Sequence, residues 1–223
     1  MDLSKSYEYF KPETVTERIH IVGCGSVGST IAENLARNGL TKFTLWDFDD
    51  VEPHNIANQM YTNKHVGMPK VEALKEILTD INPEIIHEIH LEPKGWQGKM
   101  MSGFVFLAVD NIELRRDIVE KHMHSPNVVA MFDVRTLLES GQHYAAEWNN
   151  TKAKKNFLAT MQFSHDEAKE ETPVSACGVT LGVCTTVRLI SGMAVNNFLN
   201  FVRGKGLWHM VNDSCFNGIR DCF

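Results

Sequence analysis

Gly23, Gly25 and Gly28 stand at the spacing G-x-G-x-x-G, directly after the apolar, β-branched run of Ile19, Ile21 and Val22. A helical repeat of Val27, Ile31 and Leu35 follows at once. The first glycine permits a tight turn, the second lets backbone come close to a phosphate, and the third lets a helix pack on the strand. The N–H groups of the helix start, from Ser26 on, then face an anion. The run T-K-F-T-L-W delivers Asp47 to the end of a second strand, where a carboxylate accepts from ribose hydroxyls. These residue types in this order predict a nucleotide site.

Other polar residues converge on the same end of the sheet. The stretch F-D-D-V-E-P-H-N-I-A-N-Q-M-Y is polar and broken by Pro53, and its Asp49, Asn55, Asn58 and Gln59 can wall a ligand. Lys70 opens the next helical pattern, where a cation opposes the helix dipole, so a ligand-facing role is the better explanation of its place. The run S-G-F-V-F-L-A-V-D, residues 102–110, reads as a buried parallel strand with Asp110 at its carboxyl end, a position suited to a nucleotide or its magnesium. Asp110 can equally cap the helix that follows it, and the two roles are compatible.

These residues require a scaffold of alternating strands and helices. After residues 1–17, a polar arm with a turn at Lys11-Pro12-Glu13, the chain alternates strand and helix patterns. The expected fold is α/β and Rossmann-like, a mostly parallel sheet with helices on both faces, in one domain over 1–223. Gly39 is expected to close the first helix in a left-handed cap. A helix is predicted from Pro69 to the stop at Asn82-Pro83, with Val71, Leu74, Ile77, Leu78 and Ile81 on its apolar face. Strands are predicted at I85-I-H-E-I-H-L, at N127-V-V-A-M-F-D-V and from Gly141 to Trp148. Residues 149–172 are highly charged, and a mobile, solvated crossover is expected over 149–176. The small and apolar residues from Gly178 to Phe201 suit a helix buried along much of its length, with Cys184 in the core.

Composition narrows the function classes. Lys+Arg 22 against Asp+Glu 28 gives a net charge of −6, which lacks the footprint of a nucleic-acid or anionic-membrane binder. No signal peptide or membrane-length apolar run is visible, so a cytoplasmic protein is expected. Five cysteines at irregular positions, with no C-x-x-C pair, form neither a disulfide framework nor a four-cysteine zinc site. The pairs His87 and His90, and His122 and His124, lack a third ligand and are expected to be solvated.

The segments G-C-G-S-V-G, D-F-D-D-V-E-P-H-N-I-A-N-Q, V-G-M-P-K, I-N-P and A-V-D-N-I-E-L-R resemble the ThiF/MoeB/HesA group of ubiquitin-like-protein activating enzymes over roughly residues 18–120. The resemblance implies a homodimeric adenylyltransferase. It would use ATP and Mg2+ to activate the C-terminal carboxylate of a small ubiquitin-like or sulfur-carrier protein, or of a peptide, releasing pyrophosphate. It implies that Asp47 holds the ribose, Asn55 and Lys70 the phosphates, and Asp110 the magnesium and the adenylating geometry. Asn111 and Arg115 match the family's aspartate-asparagine-x-x-x-arginine pattern. Cys177 stands where sulfur-transferring relatives carry a cysteine, and a thiolate at a helix start is a candidate nucleophile; a packed, inert thiol is the other reading.

The chain departs from the family pattern where Asn58 takes an arginine's place before Gln59, and where the N-terminal arginine of relatives has no match in residues 1–17. Arg115, Arg116 or a residue of a second subunit is therefore expected to neutralise phosphate charge. Two other classes remain: a catalytically silent nucleotide-binding subunit scaffolding an active partner, which the missing arginine permits, and an NAD-dependent oxidoreductase. Lys70 and Asp110 favour ATP over NAD, because hydride transfer needs neither a phosphate cation nor a metal carboxylate.

Overall fold

Short runs of β-branched and aromatic residues, each too apolar to tolerate water on either face, make the centre of a sheet covered on both sides. The structure, a computed structural model, describes residues 1–164, 166–167 and 182–223. Its strands are β1 (Ile19–Val22), β2 (Phe43–Trp46), β3 (His90–Glu92), β4 (Gly103–Leu107), β5 (Val128–Thr136), β6 (Ser140–Glu147), β7 (Met210–Ser214) and β8 (Ile219–Cys222). They form one eight-stranded sheet in the order β3-β2-β1-β4-β5-β6-β7-β8. The pairings from β3 to β5 are parallel, and those from β5 to β8 antiparallel. Ile19 of β1 stands opposite Phe43 on one side and Phe104 on the other.

The helices are α1 (Ser26–Arg37), α2 (Lys70–Ile81), α3 (Ile112–His122), α4 (Thr151–Ala159) and α5 (Cys184–Val202). Alternation along the strands divides the core in two. Ile19, Ile21, Phe104, Phe106 and Phe132 face α1, α2 and α5, where Ile31, Leu74 and Phe198 are fully buried. Phe106 stacks on Phe132 with centroids 4.6 Å apart, and Phe198 meets Phe104 edge-on at 5.0 Å. Val22, Val105, Leu107 and Met131 face α3 and α4 on the other side. The expected helices on both faces are therefore present, and the strand order reverses between β1 and β4, where open α/β sheets hold ligands.

Several expectations need correction. The stretch from residue 149 is not a solvated crossover at its start. Asn150 caps α4 by accepting from the N–H groups of Lys152 and Ala153, and Phe157 and Met161 are buried against the sheet. Lys152 and Lys155 mark the exposed face of an amphipathic helix, and burying Phe157 alone contributes about 1.5–3 kcal/mol. Residues 165 and 168–176 of that stretch lie outside the described residues. The strand expected from residue 85 begins only at His90, because Asn82 accepts from the N–H of Glu84 and starts a 3-10 turn over Pro83–His87. Cys184 is the first residue of α5 and half-exposed, not core. The N-terminal arm, by contrast, needs no correction and packs on its own chain: Phe10 is buried, Leu3 and Pro12 lie against Gly39, and Arg203 stacks 3.6 Å from the Tyr9 ring centroid. His122 is buried rather than solvated, accepting from the Met101 N–H (2.8 Å) while its other ring nitrogen donates to the Ile118 carbonyl. Among the described residues no group of three or more metal-ligating side chains occurs, and no helix is long and apolar enough to cross a membrane.

Candidate functional site

At the carboxyl ends of β1, β2 and β4 the chain surrounds a cleft of about 1630 Å³. Gly23 ends β1 with φ +92°, and its N–H donates to the Trp46 carbonyl at 2.8 Å. A side chain at Gly23 would meet the backbone of Ala108 and Val109 at 2.7–2.8 Å, so β1 and β4 touch at the floor of the cleft only because this residue is glycine. Gly28, inside α1, lies beneath the turn: a Cβ there would stand 1.8 Å from the Gly23 carbonyl oxygen. Gly25 differs. It is the N-cap of α1, no side chain caps the helix, and a Cβ on it would meet nothing within 4 Å among the described residues. The N–H groups of Ser26 and Val27 find no acceptor among the described residues, and Ser26 and Gly25 both line the cleft. An uncapped helix N-terminus facing open, backbone-lined space fits a phosphate.

Asp47 is held by the turn it faces. One carboxylate oxygen accepts from the Cys24 N–H at 2.6 Å and the other from the Asp49 N–H at 2.9 Å. Burial pushes its carboxyl above the usual carboxylate range, with the Asp49 N–H and the Lys70 charge acting in the opposite sense. Tyr61 closes the back of the turn, its hydroxyl donating to the Cys24 carbonyl at 2.7 Å. Cys24 itself is fully buried, and burial pushes its thiol up, so it is inert.

The polar loop after β2 is ordered by a 3-10 turn over Pro53–Ala57, in which Asn55 accepts from the Glu52 N–H through Oδ1. The Asn55 amide NH2 makes no bond among the described residues, so its donor end remains for a ligand. Asn58 and Gln59 are half-buried on the cleft wall, and Gln59 Oε1 is buried without a partner among the described residues. Lys70 is 7% exposed and donates to Asp49 Oδ2 at 2.8 Å. Its place in the first turn of α2 is thus explained by a partner across the loop. An ammonium has three donors, so two remain for the cleft.

Asp110, past the end of β4, is exposed in the cleft and makes no hydrogen bond or ion pair among the described residues. It is not the helix cap: Asn111 is, accepting from the Leu114 N–H at 2.7 Å. A free carboxylate facing phosphate-binding backbone fits a magnesium ion, which uses one or two carboxylates beside phosphate oxygens and water.

Arg115 corrects the expectation of a free cation. It is 7% exposed, pairs with Asp133, and donates to the carbonyls of Val109 and Val134. Arg116 does not line the cleft; it donates to the carbonyls of Met161 and Phe163. Thus Gly23, Gly25, Ser26, Asp47, Asp49, Asn55, Asn58, Gln59, Lys70, Asp110, Asn111 and Arg115 all reach one cleft, whereas Gly28 supports it from below. Cys177 lies outside the described residues.

The sequence reading missed the walls on either side. Phe48, 71% exposed, rests against Gly95 at one rim, beside Lys94 and Trp96. Arg135 forms part of the other, bonded to Asp133 and Thr160 and stacked between Tyr144 (4.7 Å) and Phe163 (5.5 Å). The alternation Asp133, Arg135 on one face of a strand was visible in the sequence, but β5 runs two residues beyond the apolar run that marks it.

A model of the ThiF family matches residues 13–217. Ubiquitin-like modifier-activating enzyme 5 of Caenorhabditis briggsae is 38% identical over 239 residues, covering all of this chain and 53% of that protein. The protein of the same name from Gallus gallus is 39% identical over 90 residues, 40% of this chain and 22% of its own length. The chain thus spans about half the length of the first of these relatives and less of the second. Among solved structures, E. coli MccB with ATP aligns with a TM-score of 0.74 at 13% identity, covering 95% of this chain and 65% of that one. PaaA aligns with a TM-score of 0.71 at 16% identity over the same shares. At these identities the likeness is one of fold.

Proposed function

The chain belongs to the ThiF family, and we propose that it is an ATP-dependent adenylyltransferase that activates the C-terminal carboxylate of a ubiquitin-like or sulfur-carrier protein, or of a peptide. The observation that carries this reading is the meeting, in one cleft, of the uncapped start of α1 at Gly25, the buried ammonium of Lys70 and the carboxylate of Asp110, unpartnered among the described residues. The relatives named as ubiquitin-like modifier-activating enzymes, and the solved MccB with ATP, support the same chemistry.

In this reading the carboxylate of the partner attacks the α-phosphate and pyrophosphate leaves. The N–H groups of Ser26 and Val27, the two remaining donors of Lys70 and the Asn55 amide hold phosphate oxygens, and Asp47 accepts from the ribose. Asp110 would hold Mg2+, which neutralises phosphate charge when bound. Nucleotidyl transfer needs aligned groups and neutralised charge more than covalent help, so a rigid cleft of fixed donors is a sufficient catalyst. A homodimer belongs to this reading, and sedimentation at micromolar concentration reads it directly.

The test is ATP–pyrophosphate exchange with candidate carboxylate partners, with Asp110→Ala as the control that retains the fold and loses exchange. Exchange at the native rate in that variant would sink the magnesium assignment. One observation favours a second reading, a silent nucleotide-binding subunit: both arginines that line the cleft, Arg115 and Arg135, are already paired with Asp133. Tight ATP binding with no exchange for any partner would select it. Quenching of nicotinamide fluorescence on titration would instead select an oxidoreductase.

A further inference from the structure

Among the described residues nothing holds the side chain of Asp110, so its position depends on the backbone at the β4–α3 junction. That junction is tied at two points. Asn111 fixes its far side through the cap on Leu114 N–H. On the near side the carbonyl of Val109, the residue directly before Asp110, accepts from Arg115 twice, through Nε at 2.7 Å and through Nη2. The same guanidinium reaches Asp133 and the Val134 carbonyl (3.0 Å) through Nη1. Asp133 is fully buried and is held in turn by Arg135, whose Nε lies 2.8 Å from it. Arg115 is thus a rigid strut from the end of β5 to the peptide that carries Asp110.

Resting on the adenylation reading, we propose that Arg115 and Asp133 are positioning residues for Asp110. They set the metal-binding carboxylate and do not touch phosphate. The physical reason lies in the fork. A guanidinium donates along fixed directions to two acceptors at once, whereas an ammonium at the same place cannot span Val109 and Asp133 together. Groups that orient a metal ligand are worth about 10–100-fold in metal affinity. A direct phosphate ligand acts on nucleotide affinity whether or not metal is present.

The experiment is calorimetric titration of the full chain with ATP, once in chelator and once with Mg2+, for the native protein, Arg115→Lys, Asp133→Asn, Asp110→Asn and the double variant Asp110→Asn/Arg115→Lys. Circular dichroism melting checks that each is folded, and Asp133→Asn gives an independent path should Arg115→Lys fail to fold. Arg115→Lys and Asp133→Asn are expected to keep the metal-free ATP affinity and to lose the gain in affinity that Mg2+ confers, by about tenfold or more. The double variant is expected to be no worse than Asp110→Asn alone. Loss of metal-free affinity in Arg115→Lys would make Arg115 a phosphate ligand, and an undiminished Mg2+ gain in both variants would make the strut merely structural; either overturns the proposal. An undiminished gain in Asp110→Asn would overturn it by removing Asp110 from the metal. A native chain that binds no ATP at all would instead overturn the adenylation reading on which it stands.

Discussion

Gly25 and Gly28 lie in one motif, three residues apart, yet the structure separates what each is for. In Gly28→Ala the new Cβ would stand 1.8 Å from the Gly23 carbonyl oxygen and 3.1 Å from Ile21 Cγ2. That is roughly 1.5 Å short of ordinary van der Waals contact, and the obstacle is backbone, so α1 must withdraw from β1. Overpacking of this kind costs about 1–3 kcal/mol, which in a chain of this size lowers Tm by about 2–4 °C per kcal/mol. In Gly25→Ala the Cβ meets nothing within 4 Å, and φ −73°, ψ −151° is extended backbone that alanine adopts. The cost there is the poorer helix cap alone, about 0.5–1 kcal/mol, because alanine is a worse N-cap than glycine. The methyl group does occupy the space through which a phosphate must approach the N–H groups of α1. Nucleotide affinity should therefore fall by about tenfold or more, 1.4 kcal/mol, with Tm lowered by only about 1–4 °C. Thermal melting without ligand and calorimetric titration with ATP read the two effects separately. Native-like ATP affinity in Gly25→Ala, or a Tm as low as that of Gly28→Ala, would refute the assignment of one glycine to the ligand and the other to packing.

Lys70→Ala should weaken ATP binding by about 2–3 kcal/mol through the lost charge-assisted bond, with little loss of fold because its partner Asp49 is half-exposed and can be solvated; unchanged affinity would leave Lys70 as a tie for the loop alone. Stability should fall on acidification between pH 6.5 and about 4. Burial holds His20 and His143 neutral, down to about 4, while the unfolded chain takes up a proton at each from its ordinary value of 6.5. The folded-state value is the lower one, so stability is complete above 6.5, falls through the window, and changes no further for these groups below 4, by roughly 3 kcal/mol per histidine at most. Urea midpoints that stay flat across that window would contradict the buried, neutral assignment. Cys177→Ser should retain pyrophosphate exchange and lose any thioester or persulfide adduct with the partner; an adduct that survives the substitution would remove Cys177 from the chemistry.

The glycine turn, the strand-and-helix alternation and the acids at strand ends were legible in the residues, because each is a local rule. A Gly needed for backbone contact, a 3.6-residue apolar repeat and a carboxylate after a buried run act within a few positions of one another. These rules place Asp47, Lys70 and Asp110 at one end of the sheet, on the walls of one cleft. What they cannot contain is partnership between distant segments. That Lys70 rests on Asp49, that Asn111 rather than Asp110 caps α3, and that Arg115 bonds Asp133 and Val109 depend on which side chains the folded sheet brings together. The charged run after residue 149 was opaque for the same reason: Phe157 and Met161 have a face to cover only once β5, β6 and α3 have assembled, and a stripe of two apolar residues among lysines carries little periodicity without that surface. The sequence determined which backbone turn and which acids gather at one end of the sheet, since each of those rules acts within a few contiguous residues. The tertiary structure decided which charges there remain unpaired among the described residues, since pairing is settled between elements far apart in the chain.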